Sequence, residues 1–164
     1  MSTRSGIAIK NNDNTYTWIY CHYDGYPAYV GWKLFTYYTT RTQIEQLMQL
    51  GDISWLGDVP VDPGDLWHKK EGMYTKRENE TADEYNKRID QMWDELNHWT
   101  LSYQSSGAKD VQAVSGLTYK QLVSMFRRSD REYLYVWDER HGWRVKEGCE
   151  RIKSLGLVLE KLDE

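Results

Sequence analysis

No stretch of this sequence approaches the roughly 18 consecutive apolar residues that a membrane-spanning helix requires, so lipid insertion is set aside. Cysteine is scarce as well. Cys21 and Cys149 are the only two, they form no C-x-x-C arrangement, and the N-terminus shows no apolar run of a secretion signal, so a reducing, cytoplasmic setting is expected. The G-x-x-x-x-G-K-[ST], G-x-G-x-x-G and H-E-x-x-H patterns are all missing, which removes the usual warrants for phosphate-loop, dinucleotide and zinc-protease chemistry. His68, His98 and His141 stand alone, without H-x-H or H-x-x-x-H spacing, so no metal and no cofactor is expected.

Neither sign of charge dominates, with 21 basic against 25 acidic residues. Phosphate neutralisation supplies most non-specific affinity for nucleic acid, and the only local basic group is Arg127, Arg128 and Arg131. Broad duplex binding is therefore not expected. Cations at those positions suit a helix C-terminus, and holding an anionic ligand is their other use. The acids Asp58, Asp62 and Asp65 are too few to imitate DNA.

What the chain has in quantity is aromatic surface of one kind: 8 Trp and 13 Tyr against 2 Phe. Trp and Tyr pair a flat apolar body with a polar edge, which suits half-exposed positions, stacking on bases and protein interfaces; core filling is the alternative use. The length of 164 residues matches one domain, here taken as residues 1–164, large enough for a core without staples.

Local patterns give an α+β outline. Ser5 to Lys10 and Tyr16 to Tyr23 are β-rich runs around Asn11-Asn12-Asp13-Asn14, a hairpin signal. Pro27 suits the first turn of a helix to about Tyr38, with Val30, Leu34 and Tyr37 or Tyr38 as its stripe. Thr42 with Glu45 reads as a capping box for a second short helix that Gly51 stops. Residues 52–80 read as a long irregular connection.

Thr81 with Glu84 opens the clearest amphipathic helix, through Tyr85, Ile89, Met92, Trp93 and Leu96. Thr118 with Gln121 opens another, through Leu122 and Phe126. Glu132 to Trp137 and Trp143 to Lys146 flank a second hairpin turn. After Cys149 the pattern is divided between a helix at Glu150 to Leu155 and an edge strand at Leu157 to Leu159. The expected fold is an antiparallel sheet built from the N-terminal and C-terminal hairpins and packed with four or five helices on one side, its other face partly open.

The densest polar constellation is Tyr20-Cys21-His22-Tyr23-Asp24-Gly25-Tyr26-Pro27. On a continuous strand, Tyr20, His22 and Asp24 would share one face and bring a phenol, an imidazole and a carboxylate to one ligand. Arg4, Tyr26 and Trp32 complete the candidate contact set; Asp24 capping the next helix is the structural alternative. Cys21 and His22 point to opposite faces of a strand, so they form no thiol–imidazole pair. Ser2 or Thr3 at the start of a strand would suit an N-terminal-nucleophile hydrolase, although no oxyanion-hole signature accompanies them.

At Met1-Ser2-Thr3-Arg4-Ser5 and at Ile19-Tyr20-Cys21-His22-Tyr23-Asp24-Gly25-Tyr26-Pro27 with Tyr29-Val30-Gly31, the chain resembles a family of small phage and prophage proteins that carries no established activity. Asp52-Ile53-Ser54-Trp55-Leu56-Gly57 and Glu132-Tyr133-Leu134-Tyr135-Val136-Trp137 with Gly142-Trp143 are similar to that family's pattern too, while Trp67 to Asp130 departs from it. The resemblance implies a phage accessory protein acting in the host cytosol. Many such proteins neutralise host immunity, so the expected partner is a host defence protein or a small nucleotide signal. A small hydrolase and a virion or replication accessory part remain the alternatives, and homo-oligomerisation is compatible with all of them.

Overall fold

A computed structural model describes residues 2–163. In chain order the elements are β1 (Ser5–Lys10), β2 (Tyr16–Cys21), a π-helical turn (Pro27–Gly31) running into α1 (Trp32–Tyr37), α2 (Arg41–Gln49), β3 (Ile53–Trp55), α3 (Leu66–Gly72), α4 (Ala82–His98), β4 (Leu101–Ser102), β5 (Val114–Leu117), α5 (Tyr119–Arg128), β6 (Tyr133–Asp138), β7 (Gly142–Glu147), β8 (Lys153–Ser154) and α6 (Leu155–Leu162).

The Asn-rich turn forms because Asn14 tolerates a left-handed backbone, φ 67°, while the Asp13 carboxylate accepts from the Thr15 N–H and hydroxyl. The register that results sets Ile7 against Ile19 and Ser5 against Cys21. The second hairpin then docks on the first, with β6 parallel to β1 and Ser5 opposite Tyr133. The whole is a mixed, mostly antiparallel eight-stranded sheet, ordered β4-β3-β2-β1-β6-β7-β8, with β5 on β2. The expected α+β class holds, with six α-helices.

Both sheet faces are covered, contrary to the one-sided packing expected from the element order. On one face, Ile7, Ile9, Ile19, Tyr135, Trp137 and Val145 meet Val30, Leu34 and Tyr38, which lie before, on and just after α1, Ile44 and Leu47 of α2, and Leu155 of α6. On the other, Ala8, Tyr16, Trp18, Leu134 and Val136 lie under Leu122 and Phe126 of α5. Tyr and Trp are thus core on both faces, and the face expected to stay partly open is closed by the apolar stripe of α5. A third cluster sits beside the sheet, where Trp55, Leu66, Met73, Leu96 and Leu101 join α3, α4, β3 and β4.

Three local expectations are corrected. The second helix is capped by Thr40 with Gln43, two residues before the Thr42 and Glu45 pair. Buried Tyr38 fixes the chain there, its hydroxyl donating to Gly57 O and its carbonyl accepting from the Trp143 indole. The 52–80 connection contains β3 and α3. The tail differs from both alternatives. Lys153–Ser154 is a strand where a helix was expected over Glu150 to Leu155. α6 runs from Leu155 to Leu162 through Gly156, where a side chain would meet the Phe35 ring at 3.2 Å, so the glycine permits close packing of α6 on α1. By contrast, Thr81 and Thr118 cap α4 and α5 as their spacing predicts.

Candidate functional site

The N-terminal ends of β1 and β6 and the C-terminal end of β2 meet at one end of the sheet, as the Ser5 pairings with Cys21 and Tyr133 require. That junction gathers residues far apart in sequence. Arg4 precedes β1 and ion-pairs with Asp130, and its carbonyl accepts from the Glu132 N–H at 2.8 Å. Tyr20 leaves β2 with its hydroxyl 2.5 Å from His22 Nδ1. Arg131, just before β6, lies over the Trp18 ring at 4.6 Å and the Tyr20 ring at 4.5 Å.

Trp18 reaches this position because Gly6 lies beneath it, where a Cβ would stand 2.8 Å from the indole. Two aromatic faces therefore hold the Arg131 guanidinium flat. Its Nε is screened from solvent and makes no hydrogen bond, and no carboxylate of the described residues reaches it within ion-pairing distance. Half-buried Arg4, Arg41, Arg88 and Arg144 each reach an acid instead.

Burial lowers the pKa of Arg131, partly opposed by Asp52, Tyr20 and Asp130. Burial likewise raises that of Asp52, whose carboxylate accepts the Tyr20 N–H at 2.9 Å. His22 is pushed down by burial first and then by Arg4, with Asp130 opposing and Lys70 adding to the fall. A neutral imidazole accepting from Tyr20 at Nδ1 carries its own proton on Nε2. Cys21 is fully buried and its thiol is pushed up to about 12, so no thiolate forms near neutral pH.

Tyr20 and His22 share a face as expected, but Asp24 does not join them. β2 ends at Cys21, and Asp24 takes φ 55°, which breaks the alternation; Asp24 lines a different cavity. This second space, about 270 Å3, lies among Tyr23, Tyr29, Trp55 and Trp93, with Asp24, Lys70 and Asn97 as its polar groups. The His22 and Tyr23 rings, 4.5 Å apart and edge to face, link it to the Arg131 cluster.

Of the other expected residues, Tyr26 is exposed with its ring 6.4 Å from that of Tyr29, and Trp32 is exposed on α1, edge-on to Tyr37. Neither lines the aromatic cavity. Lys70, Trp55 and Trp93 are absent from the expected set; Arg131, expected with Arg127 and Arg128 either at a helix terminus or on an anionic ligand, lies beyond the helix, which closes at Ser129. For Trp55 and Trp93 the tryptophan count was the available signal, since no local spacing relates these positions.

Comparison of the chain with protein-family models, curated proteins and solved structures finds no match. Among the described residues, no helix is long and apolar enough to cross a membrane, and no three His, Cys, Asp or Glu side chains gather as a metal site.

Proposed function

We propose that this chain is a non-enzymatic, phage-encoded binding protein that captures a phosphorylated, ring-bearing small molecule, a host defence nucleotide signal, in the host cytosol. The observation that carries this reading is the Arg131 guanidinium, stacked on Trp18 and Tyr20 and without an acid partner. A planar fork presented this way matches two phosphate oxygens, and little side-chain entropy remains to be lost on binding. The nearby acids are already engaged: Asp130 by Arg4, and Asp52 by the Tyr20 N–H. The anti-defence role comes from the resemblance of the N-terminal motifs to phage accessory proteins.

Calorimetric titration with nucleoside mono- and diphosphates tests the reading. Binding is expected to weaken with added salt and to fall about tenfold or more in Arg131→Ala, in line with the ~1.5–3 kcal/mol of a hydrogen bond to a charged group. A small anion released on denaturing protein recovered from defence-active cells would support the signal-capture role. No binding of any phosphate-bearing compound by the wild-type chain would overturn the proposal.

A second reading, an effector protein as partner, is favoured by exposed Trp32, Phe35 and Leu157, which remain 46%, 51% and 60% accessible around the α1–α6 contact. Trp and other large side chains in such patches dominate protein interfaces. A complex with a nuclease effector that Trp32→Ala breaks, while nucleotide binding persists, would select it.

A further inference from the structure

The geometry points to the cavity between Tyr23, Tyr29, Trp55 and Trp93 as a receptor for a guanine-type base, with Asp24 and Lys70 reading its edge. This deepens the nucleotide reading and rests on it only for the phosphate.

The walls are built for stacking. Trp55 and Trp93 meet at 63° with centroids 5.8 Å apart, forming a corner. Their indole N–H groups are already committed, Trp55 to Trp99 O at 2.9 Å and Trp93 to the Tyr74 hydroxyl at 3.0 Å. What remains for a ligand is their aromatic surface, held in place before it arrives. A volume of about 270 Å3 lies near the lower bound of ligand cavities, ~300 Å3, which suits a single base rather than a dinucleotide.

Charge decides what kind of ring enters. Lys33 already lies 4.8 Å from the Tyr29 ring, and Lys70 lies 5.5 Å from Tyr23 and 5.4 Å from Trp55. Two ammonium groups on the same walls repel a cationic ligand and leave neutral or electron-rich rings as the ones the cavity accepts. Lys33 is spent on Leu56 O, Asn97 O and Asp58, whereas the Lys70 ammonium has no acceptor among the described residues. Asp24 likewise has no side-chain partner among them, and its backbone is fixed because its carbonyl accepts the Val30 N–H at 3.2 Å.

A carboxylate and an ammonium lining one cavity, neither with a hydrogen-bonding partner among the described residues, select a ring edge with donors next to acceptors. Guanine presents N1–H and N2–H2 to a carboxylate and O6 and N7 to a lysine. Adenine and cytosine set a lone-pair nitrogen beside their amino group, and that nitrogen would face the Asp24 carboxylate.

The test uses nucleosides, which lack the phosphate that the Arg131 site would hold. Titration of the full chain with guanosine, adenosine and cytidine, followed by tryptophan fluorescence and calorimetry, is expected to show guanosine binding at least about tenfold tighter than the other two. Asp24→Asn keeps the size and tolerates the left-handed backbone, and it is expected to abolish that preference while inorganic phosphate binding is unchanged. Lys70→Met is expected to weaken guanosine several-fold. Equal binding of the three nucleosides, no nucleoside binding, or an undiminished preference in a folded Asp24→Asn protein would overturn the assignment, even if nucleotides still bound through Arg131. Guanosine binding with no measurable binding of inorganic phosphate, and no gain in affinity from guanosine to its monophosphate, would uphold the base site while the phosphate site failed.

Discussion

The central sheet and the flanking unit made by β3, α3, α4 and β4 are held together by different physics. In the centre, aliphatic and aromatic side chains from four neighbouring strands are sealed between helices on both faces, and Ile7, Ala8, Leu134, Tyr135 and Val136 are inaccessible to solvent. In the flank, few residues are sealed, and tryptophans half-cover the cluster with their N–H groups tied to single acceptors: Trp55 to Trp99 O, Trp67 to Ser102 O, Trp93 to Tyr74 Oη. In the centre β1, β2 and β6 each pack on two layers, which ties the layers into one cooperative unit. The flank is a set of pinned rings, and it borders the cavity where a ligand would enter.

The difference also appears in how each region titrates. Burial pushes the Cys21 thiol up to about 12 from 9.0, and it raises the phenols of Tyr38 and Tyr135 as well. Below pH about 9 the folded and unfolded chains hold these protons alike. Above it the unfolded chain loses the thiol proton first, so stability falls as pH rises toward about 12. The largest expected effect is therefore complete loss of the central fold in alkali, followed by near-ultraviolet circular dichroism; retained signal at pH 12 would break the comparison.

Trp55→Ala comes next, costing ~3–5 kcal/mol but confined to the flank. Hydrogen exchange is expected to show α4 and β4 unprotected while β1, β2, β6 and β7 keep their protection, whereas uniform loss would make the molecule one cooperative unit. Lys33 joins the regions, as its ammonium reaches Leu56 O, Asn97 O and Asp58. Lys33→Met leaves those acceptors buried or unpaired, at ~1–3 kcal/mol each for a buried group, and is expected to uncouple the two unfolding transitions in a denaturant titration.

Ile7→Val is expected to cost ~0.5–1.5 kcal/mol across the whole molecule, with one transition and an unchanged denaturant slope. The smallest effect belongs to Glu80, held down to about 2 from 4.5 chiefly by the Arg88 hydrogen bonds. Its contribution is present above pH about 4.5 and lost as pH falls toward about 2. Glu80→Gln is expected to loosen only residues 73–88, seen as faster exchange there at neutral pH.

The two regions also differ in how far the sequence foretold them. The hairpins and the Thr81 and Thr118 caps follow from patterns spanning a few residues, and all four form as expected. The Thr40 cap was displaced because buried Tyr38 anchors the chain from outside the helix. Gly156 was read as a breaker because the Phe35 ring it accommodates lies in another helix. At the candidate site, the strand period foretold the Tyr20–His22 pair, while the left-handed Asp24 parted it from them.

By itself the sequence determined an α+β chain with two hairpins and capped amphipathic helices, since periodicity, turn residues and caps act over one or two turns of backbone. Tertiary structure alone decided that α5 would close the second sheet face, that parallel pairing of β1 with β6 would set Arg131 on Trp18 and Tyr20 near Arg4, and that Lys70, Trp55 and Trp93 would line one cavity with Asp24. Those contacts join residues dozens of positions apart, and their energy comes from burial and ring contact that no local pattern encodes.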